Sequence, residues 1–352
     1  MNEFEVLVYP AKISEHPNAD RIELCNIGDY QSIVQKGTIK DGDPVAYIPE
    51  ASIVPDDLLE ELNLTGKLTG KAKNRVKAIK LRGVLSQGLI YPMPDKNIGD
   101  NVMEELGIIK YEPPVPTRMS GRTLGAMYGK TLSYPVHNIK KFPGEIEDGE
   151  MVTITEKLHG TWCCCGYYND DPEETPIVTS KGLSGKGIVL DPEDPDNVYS
   201  QTWKKIQPTI DAIRDKINES VVTVGTPFYV LGEVYGRGIQ DLQYNTMQHD
   251  FRVFDIYYGV PGKGKYLELS EVLYLLDLVY PPLNYVPVLY HGPYSKDILM
   301  EYTDGRSTLG GNMREGVVIK PSPERLNSTF GRAIFKSISE AYLLRKGGSE
   351  FN

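Results

Sequence analysis

VTITEKLHGTW, Val152 to Trp162, decides how the rest of this chain is read. It is a strand-like segment that ends in Glu156-Lys157 and passes through Leu158-His159-Gly160-Thr161. It then continues into Trp162 and the contiguous Cys163, Cys164 and Cys165. With 34 glycines and 38 basic residues in the chain, a lysine three positions before a glycine arises by chance. Taken alone, it describes an exposed lysine at a strand end. Its weight comes from its place at the head of an ordered series of segments.

Downstream lie VTSKG (Val178–Gly182), FYVLGEVYG (Phe228–Gly236), FRVFDIYY (Phe251–Tyr258), REGVVIKP (Arg314–Pro321) and AIFKS (Ala333–Ser337). Three of these are apolar strands that each present a charged residue at a turn or end, an arrangement suited to a cleft lined by strand termini. The glycine-rich stretches do not compete. GLSGKGIVL lacks the Ser or Thr that a P-loop needs after Gly-Lys, and no segment carries a dinucleotide fingerprint after a strand.

The ordered set resembles the covalent nucleotidyltransferases (ATP-dependent RNA ligases, DNA ligases and mRNA capping enzymes) over residues 117–346. K-x-H-G with GEVYG and EGVVIKP is most similar to RNA ligases of the phage RNA ligase 2 type. DNA ligases and capping enzymes normally carry K-x-D-G and a C-terminal OB domain, for which the stretch after Lys336 is too short. An OB-like domain placed first resembles the Deinococcus-type RNA ligases, which seal nicks.

The resemblance implies an α+β fold. An N-terminal OB-like β-barrel (1–112) would precede an ATP-grasp-like nucleotidyltransferase domain (117–352) of antiparallel sheets with flanking helices. It also implies an RNA ligase joining 3′-hydroxyl and 5′-phosphate ends through a lysyl-AMP, acting in RNA repair on RNA or an RNA-containing nicked duplex, with ATP and Mg2+ (or Mn2+). Alternatives are a DNA ligase or capping guanylyltransferase of the same superfamily, or a nucleic-acid-binding protein whose transferase domain is inactive.

Roles carry over by motif. Lys157 would attack the α-phosphate of ATP, while Lys320 and Lys336 contact that phosphate. An ordinary lysine, with a pKa of about 10.4, is protonated at neutral pH, and neighbouring positive charge favours the reactive amine. Glu233 resembles the acid that accepts from the ribose hydroxyls. Phe254 resembles the aromatic stacked on adenine, and Glu315 the carboxylate holding the divalent cation. Glu156 would read the adenine edge, Lys181 stand near the ribose or end phosphate, and His159 orient the turn. Three positions depart from the pattern. Trp162 replaces an asparagine, Ile334 replaces the first lysine of a K-x-K (with Arg332 nearby to compensate), and Lys181 replaces an arginine, keeping charge without bidentate geometry.

Upstream, FEVLVYPAKI, IELCNI, SIVQKG, PVAYIP and GLIYPMP read as short strands, with DDLLEELN as one short helix, which together predict a small barrel. HPNADRIELCNI and LRGVLSQGLIYP are similar to phrases of tRNA-binding OB-fold modules of aminoacyl-tRNA synthetases. YEPPVPT (111–117) reads as a stiff connector. In TWKKIQPTIDAIRDKI, the spacing of Ile206, Ile210, Ile213 and Ile217 predicts a core-facing helix. Ser270 and Ser295 are expected to cap two more helices, and Ser337–Lys346 to form a last one.

A length of 352 residues suits about two domains. The net charge of −10 has the wrong sign for bulk attraction to nucleic acid, so polyanion binding needs a local basic site. Gly66–Gly83 offers one. Lys71, Lys73, Arg75 and Lys77 are its candidate contacts, and the same lysines could instead guard a strand edge. Three consecutive cysteines on a strand cannot converge on one metal, which predicts reduced structural thiols. No secretory pattern or membrane span is evident, so the expected compartment is cytoplasmic, with no protein partner implied.

Overall fold

Val45 and Tyr47 alternate with Ala46 and Ile48 along Pro44–Ile48, and all four are buried, each pair in its own hydrophobic cluster. A strand covered on both faces needs a sheet that curls around it, and the N-terminal lobe supplies one. In the computed structural model, which describes residues 4–168, 175–220 and 226–348, this strand pairs antiparallel with Val8–Pro10 and Leu89–Pro92. Lys12–Glu15, Ile22–Ile27 and Tyr30–Gln35 form a second antiparallel sheet over the Val45 and Tyr47 side. The helix Asp56–Glu61, with Asp56 and Asp57 in its first turn, buries Leu58 and Leu59 on the opposite side, with Ala46 and Ile48. The basic stretch makes turns and then a hairpin, Ile79–Leu81 with Val84–Ser86. The result is the expected OB-fold lobe.

The second lobe is built on two sheets. One orders His137–Asn138, Phe335–Ile338, Gly316–Pro321, Met151–Lys157 and Val288–Pro293. The other orders Ile177–Ser180, Gly160–Tyr167, Phe228–Gly236, His249–Tyr258 and Lys265–Tyr266. Pairing is antiparallel except where His137–Asn138 meets Phe335–Lys336 and where Asn284–Tyr285 meets Arg252–Val253. The chain crosses from the first sheet to the second between Lys157 and Gly160.

Strand periodicity assigns the faces. Val152 and Ile154 pack outward with Leu299 of the helix Lys296–Thr303. Cys163 and Cys165, their sulfurs 3.5 Å apart, face outward onto Trp203, Ile206 and Ile210, while Cys164 and Trp162 face inward. The helix is Val198–Ser220, with Asn197 Oδ1 accepting from the Tyr199 and Ser200 amides. It runs through Pro208, an interruption that costs about 3 kcal/mol in isolation. Burial of Trp203 and the four isoleucines offsets it.

Two helix starts differ from the sequence reading. Glu268, not Ser270, caps Leu269–Leu278, because Glu268 and Glu271 form a reciprocal capping box that leaves Ser270 inside the first turn. The last helix is shorter than expected, Glu340–Leu344, because Ser337 and Ile338 are held in the sheet and Ser339 takes the cap. Ser295 caps its helix as expected, accepting from the Ile298 amide at 3.2 Å.

Candidate active site

Between the inner faces of the two sheets lies a cavity of about 350 Å3. The registers explain its lining. Lys157 pairs with Gly316, Thr155 with Val318 and Val318 with Lys336, so Lys157, Glu315 and Lys336 reach one wall. Opposite, Trp162 pairs with Glu233. Phe254 is at a bulge, where Leu231 pairs with Asp255 and Gly232 with Val253, which turns its ring to the pocket beside Tyr134 at 5.1 Å. Lys181 comes directly after Ile177–Ser180, at the exposed rim.

All nine residues expected to touch nucleotide, phosphate or metal line this pocket: Glu156, Lys157, His159, Lys181, Glu233, Phe254, Glu315, Lys320 and Lys336. Their side chains are not equivalent. Lys157 Nζ is 2.6 Å from Glu315 Oε1. Burial pushes the Glu315 carboxyl up, but the Lys157 ammonium and the His159 contact outweigh it and hold Glu315 at about 2. Glu233 goes the other way. Burial, reinforced by the charge of Glu315 and opposed by Lys157, pushes it up to about 8. Burial followed by the charges of Lys181 and Lys157 brings Lys336 down to about 8. Lys181 is shifted down by burial and by Lys157. Its side chain retains solvent, which screens that shift more than the one on Lys336.

Lys320 lines the same pocket and is ion-paired within the protein. Its Nζ lies 3.3 Å from Asp255 and 3.2 Å from Glu324, and these carboxylates, against burial, hold its ammonium strongly protonated. Arg332 grips the same Asp255 through both terminal nitrogens (2.8 and 3.1 Å), and Tyr134 donates to it. Positive charge beside Lys157 therefore comes from Lys181 and Lys336. Arg332 is committed to Asp255 and Glu324 rather than standing in for the lysine missing at Ile334, which is buried in the core.

Glu156 also turns away. It is on the outward face of its strand, where its carboxylate accepts from the Thr308 amide and hydroxyl at 3.1 and 3.2 Å, so only its backbone faces the pocket. His159 is fully enclosed. Nε2 lies 2.7 Å from Asp241, and Nδ1 lies 2.9 Å from the Tyr342 hydroxyl and 3.5 Å from Glu315. Asp241 in turn meets Arg345 Nε at 3.2 Å.

Sequence reasoning does not reach Asp241, Asp255, Arg332, Tyr342 and Arg345 as partners of the site, apart from the compensation expected of Arg332. Their partners lie far off in sequence, from Lys320–Asp255 (65 apart) to Tyr342–His159 (183 apart), and no local pattern signals such pairs. Of the basic stretch, Lys71 and Lys73 are exposed, Arg75 stacks on Tyr111 at 4.3 Å, and Lys77 donates to the Arg345 carbonyl at 3.0 Å.

Among the described residues no group of three or more His, Cys, Asp or Glu could enclose a metal. An ionised, buried Glu315 beside a phosphate-sized space suits a hard divalent cation that takes its remaining ligands from phosphate and water. No helix among the described residues is long and apolar enough to cross a membrane.

The RNA ligase family model matches residues 150–338, and a model of an OB-fold domain matches residues 10–93. Among solved structures, the chain is similar to Naegleria gruberi RNA ligase with ATP and manganese, in a variant with a lysine replaced by alanine. The identity is 25%, the TM-score 0.78, and the match covers 97% of this chain and 98% of that one. The same enzyme with AMP and manganese, in a lysine-to-methionine variant, gives 25% identity and a TM-score of 0.78 over 96% and 97%. With pyrophosphate the values are 25% and 0.76 over 96% and 97%. No curated protein matches the chain.

Proposed function

This chain belongs to the RNA ligase family, and from that premise we propose that it joins RNA ends with ATP by carrying AMP on Lys157. One observation carries the reading: Lys157, Glu233, Glu315 and Lys336, from four separate segments, converge on one pocket with complementary charge states. A cavity of about 350 Å3 lies within the range of small-molecule sites, and the solved relatives hold ATP, AMP and pyrophosphate.

In the first step the Lys157 amine, released from Glu315, attacks the α-phosphorus. A P–N bond forms, the bond from that phosphorus to the bridging oxygen breaks, pyrophosphate leaves and the amine proton passes to solvent. Lys336 and Lys181 neutralise charge on the phosphate oxygens. Glu233, protonated in the nucleotide-free protein, faces the ribose hydroxyls, and Phe254 with Tyr134 flanks the base. Glu156 contributes its backbone. Glu315 would hold magnesium or manganese, which, when bound, supplies charge neutralisation to the phosphates. AMP then passes from Lys157 to a 5′-phosphate, forming a 5′–5′ pyrophosphate linkage as the P–N bond breaks. Finally a 3′-hydroxyl attacks that end, closing the phosphodiester and expelling AMP.

The substrate we favour is a nicked RNA-containing duplex, in RNA repair. The barrel (1–112) would grip the duplex, and residues 117–352 would do the chemistry. Four buried free cysteines favour a reducing, cytoplasmic setting.

Incubation with magnesium and ATP labelled at the α-phosphate tests the first step. Wild type should retain label through denaturing electrophoresis, labelled GTP should give none, and Lys157→Ala should take up none. A labelled Lys157→Ala protein would move the nucleophile elsewhere.

A further inference from the structure

Lys157 is not held by the pocket alone. From Glu315 the contacts run to His159, then Asp241, then Arg345, at 3.5, 2.7 and 3.2 Å. Arg345 closes the last helix, Glu340–Leu344, and its guanidinium stacks on the ring of Tyr342 at 3.5 Å. Tyr342 touches His159 from the same helix. That helix is gripped from outside by the barrel. Lys77 Nζ donates to the Arg345 carbonyl, and Lys80 Nζ lies 2.6 Å from Glu340 at the helix start. The basic hairpin region therefore commits two of its lysines to the catalytic lobe.

We propose that this region and the last helix form a clasp on the nucleophile, in which Lys77, Arg345 and Asp241 are positioning residues for AMP transfer to Lys157. The proposal rests on the reading of Lys157 above. His159 is what the clasp acts on. Its ring is engaged at both nitrogens, Nε2 by Asp241 and Nδ1 by the Tyr342 hydroxyl and Glu315, which fixes the ring plane. Glu315 then presents a fixed oxygen to Lys157. A nucleophile misplaced by a fraction of an ångström loses rate without losing ATP binding. The barrel thus bears on the first step of the reaction, before any polynucleotide is present.

The test measures label uptake from ATP in single turnover, without polynucleotide, beside the affinity for a nicked RNA duplex. Lys77 is half-buried, and Lys77→Met keeps the aliphatic bulk of the side chain while removing its charge and its hydrogen bond. It should slow uptake about 3- to 10-fold at saturating ATP, the effect of one lost hydrogen bond, with KM for ATP and duplex affinity unchanged. Asp241→Asn should slow it about tenfold or more, and Arg345→Lys should retain more of the rate than Arg345→Ala. Lys36→Met, at an exposed lysine of the barrel, should match wild type.

If Lys77→Met labels at the wild-type rate but binds duplex more weakly, Lys77 is a polynucleotide contact and the clasp is wrong. A wild type that takes no label would overturn the lysyl-AMP reading itself. That failure is distinguishable, because the clasp alone fails when wild type labels and the variants label equally well.

Discussion

Glu233 and Glu315 are two carboxylates in one pocket with opposite habits, and the difference lies in what each one touches. Glu315 meets Lys157 and His159 and is held at about 2, whereas burial leaves Glu233 at about 8. One is therefore ionised and the other neutral at pH 7, the usual outcome when like charges share a site. The consequence for stability has a definite sign. Below pH 4.5, the ordinary value, Glu233 is protonated in both the folded and the unfolded chain. As pH rises towards 8 the unfolded chain releases the proton first, so stability falls, and above 8 the loss is complete. Glu233→Gln removes that loss. In nucleotide-free protein the variant should unfold later than wild type at pH 9, by on the order of 1–3 kcal/mol once solvent screening is allowed for. The difference should shrink towards pH 5. Urea melts at the two pH values check this, and a gap that is larger at pH 5 would contradict the raised value.

The strand that ends in Lys157 depends on the glycine three residues on. A Cβ on Gly160 would lie 2.2 Å from the Val234 carbonyl oxygen and 2.9 Å from Glu233 Cγ. The glycine of K-x-H-G is thus required by the close approach of two strands, the one that carries the lysine's turn and the one that carries Glu233. Gly316, after Glu315, is similar, with a Cβ 2.1 Å from the Ser337 carbonyl oxygen. Gly160→Ala should cost about 1–3 kcal/mol of stability and push Glu233 out of register, lowering label uptake more than the loss of folded protein explains. Melting and labelling on one preparation separate the two effects, and normal labelling by a destabilised variant would rule the register argument out. The same geometry shows why much of the site is legible in the sequence. Strand runs and helical spacing are local, so the isoleucine face of Val198–Ser220 is visible in a linear text, and the pocket-lining residues are visible because they stand in short motifs that resemble a known family in order. Asp255 is not, because its partners Lys320 and Arg332 lie 65 and 77 positions away and an aspartate within FRVFDIYY looks like any other. Nor is the outward turn of Glu156, which depends on strand parity counted from Lys157. The cap at Glu268 is hidden by a nearby serine that has the better intrinsic preference.

At the scale of the molecule, an acidic protein has to bind a polyanion, and the interface between the lobes decides which lysines are available for it. Lys296 with Asp29 (2.9 Å), Lys141 with Glu5 (3.3 Å) and Lys80 with Glu340 tie barrel to catalytic lobe, as does Lys77 through the Arg345 carbonyl. These charges face protein. Lys71 and Lys73 are exposed on the turn before the hairpin, Lys73 with a left-handed φ of 57° that turns the backbone there. If duplex is gripped by the barrel, these two meet phosphate, and they do so without reading sequence. Each phosphate neutralised releases condensed counterions, so the logarithm of affinity falls with the logarithm of salt by about 0.9 per contact. Replacing both Lys71 and Lys73 by alanine should therefore flatten the salt dependence of nicked-duplex binding by about two, while Lys77→Met leaves the slope as it was. Titrations of duplex across a range of potassium chloride concentrations measure both slopes side by side. An unchanged slope in the double variant would move the footprint off this turn, and a flattened slope in Lys77→Met would mean that the duplex pulls that lysine away from the last helix.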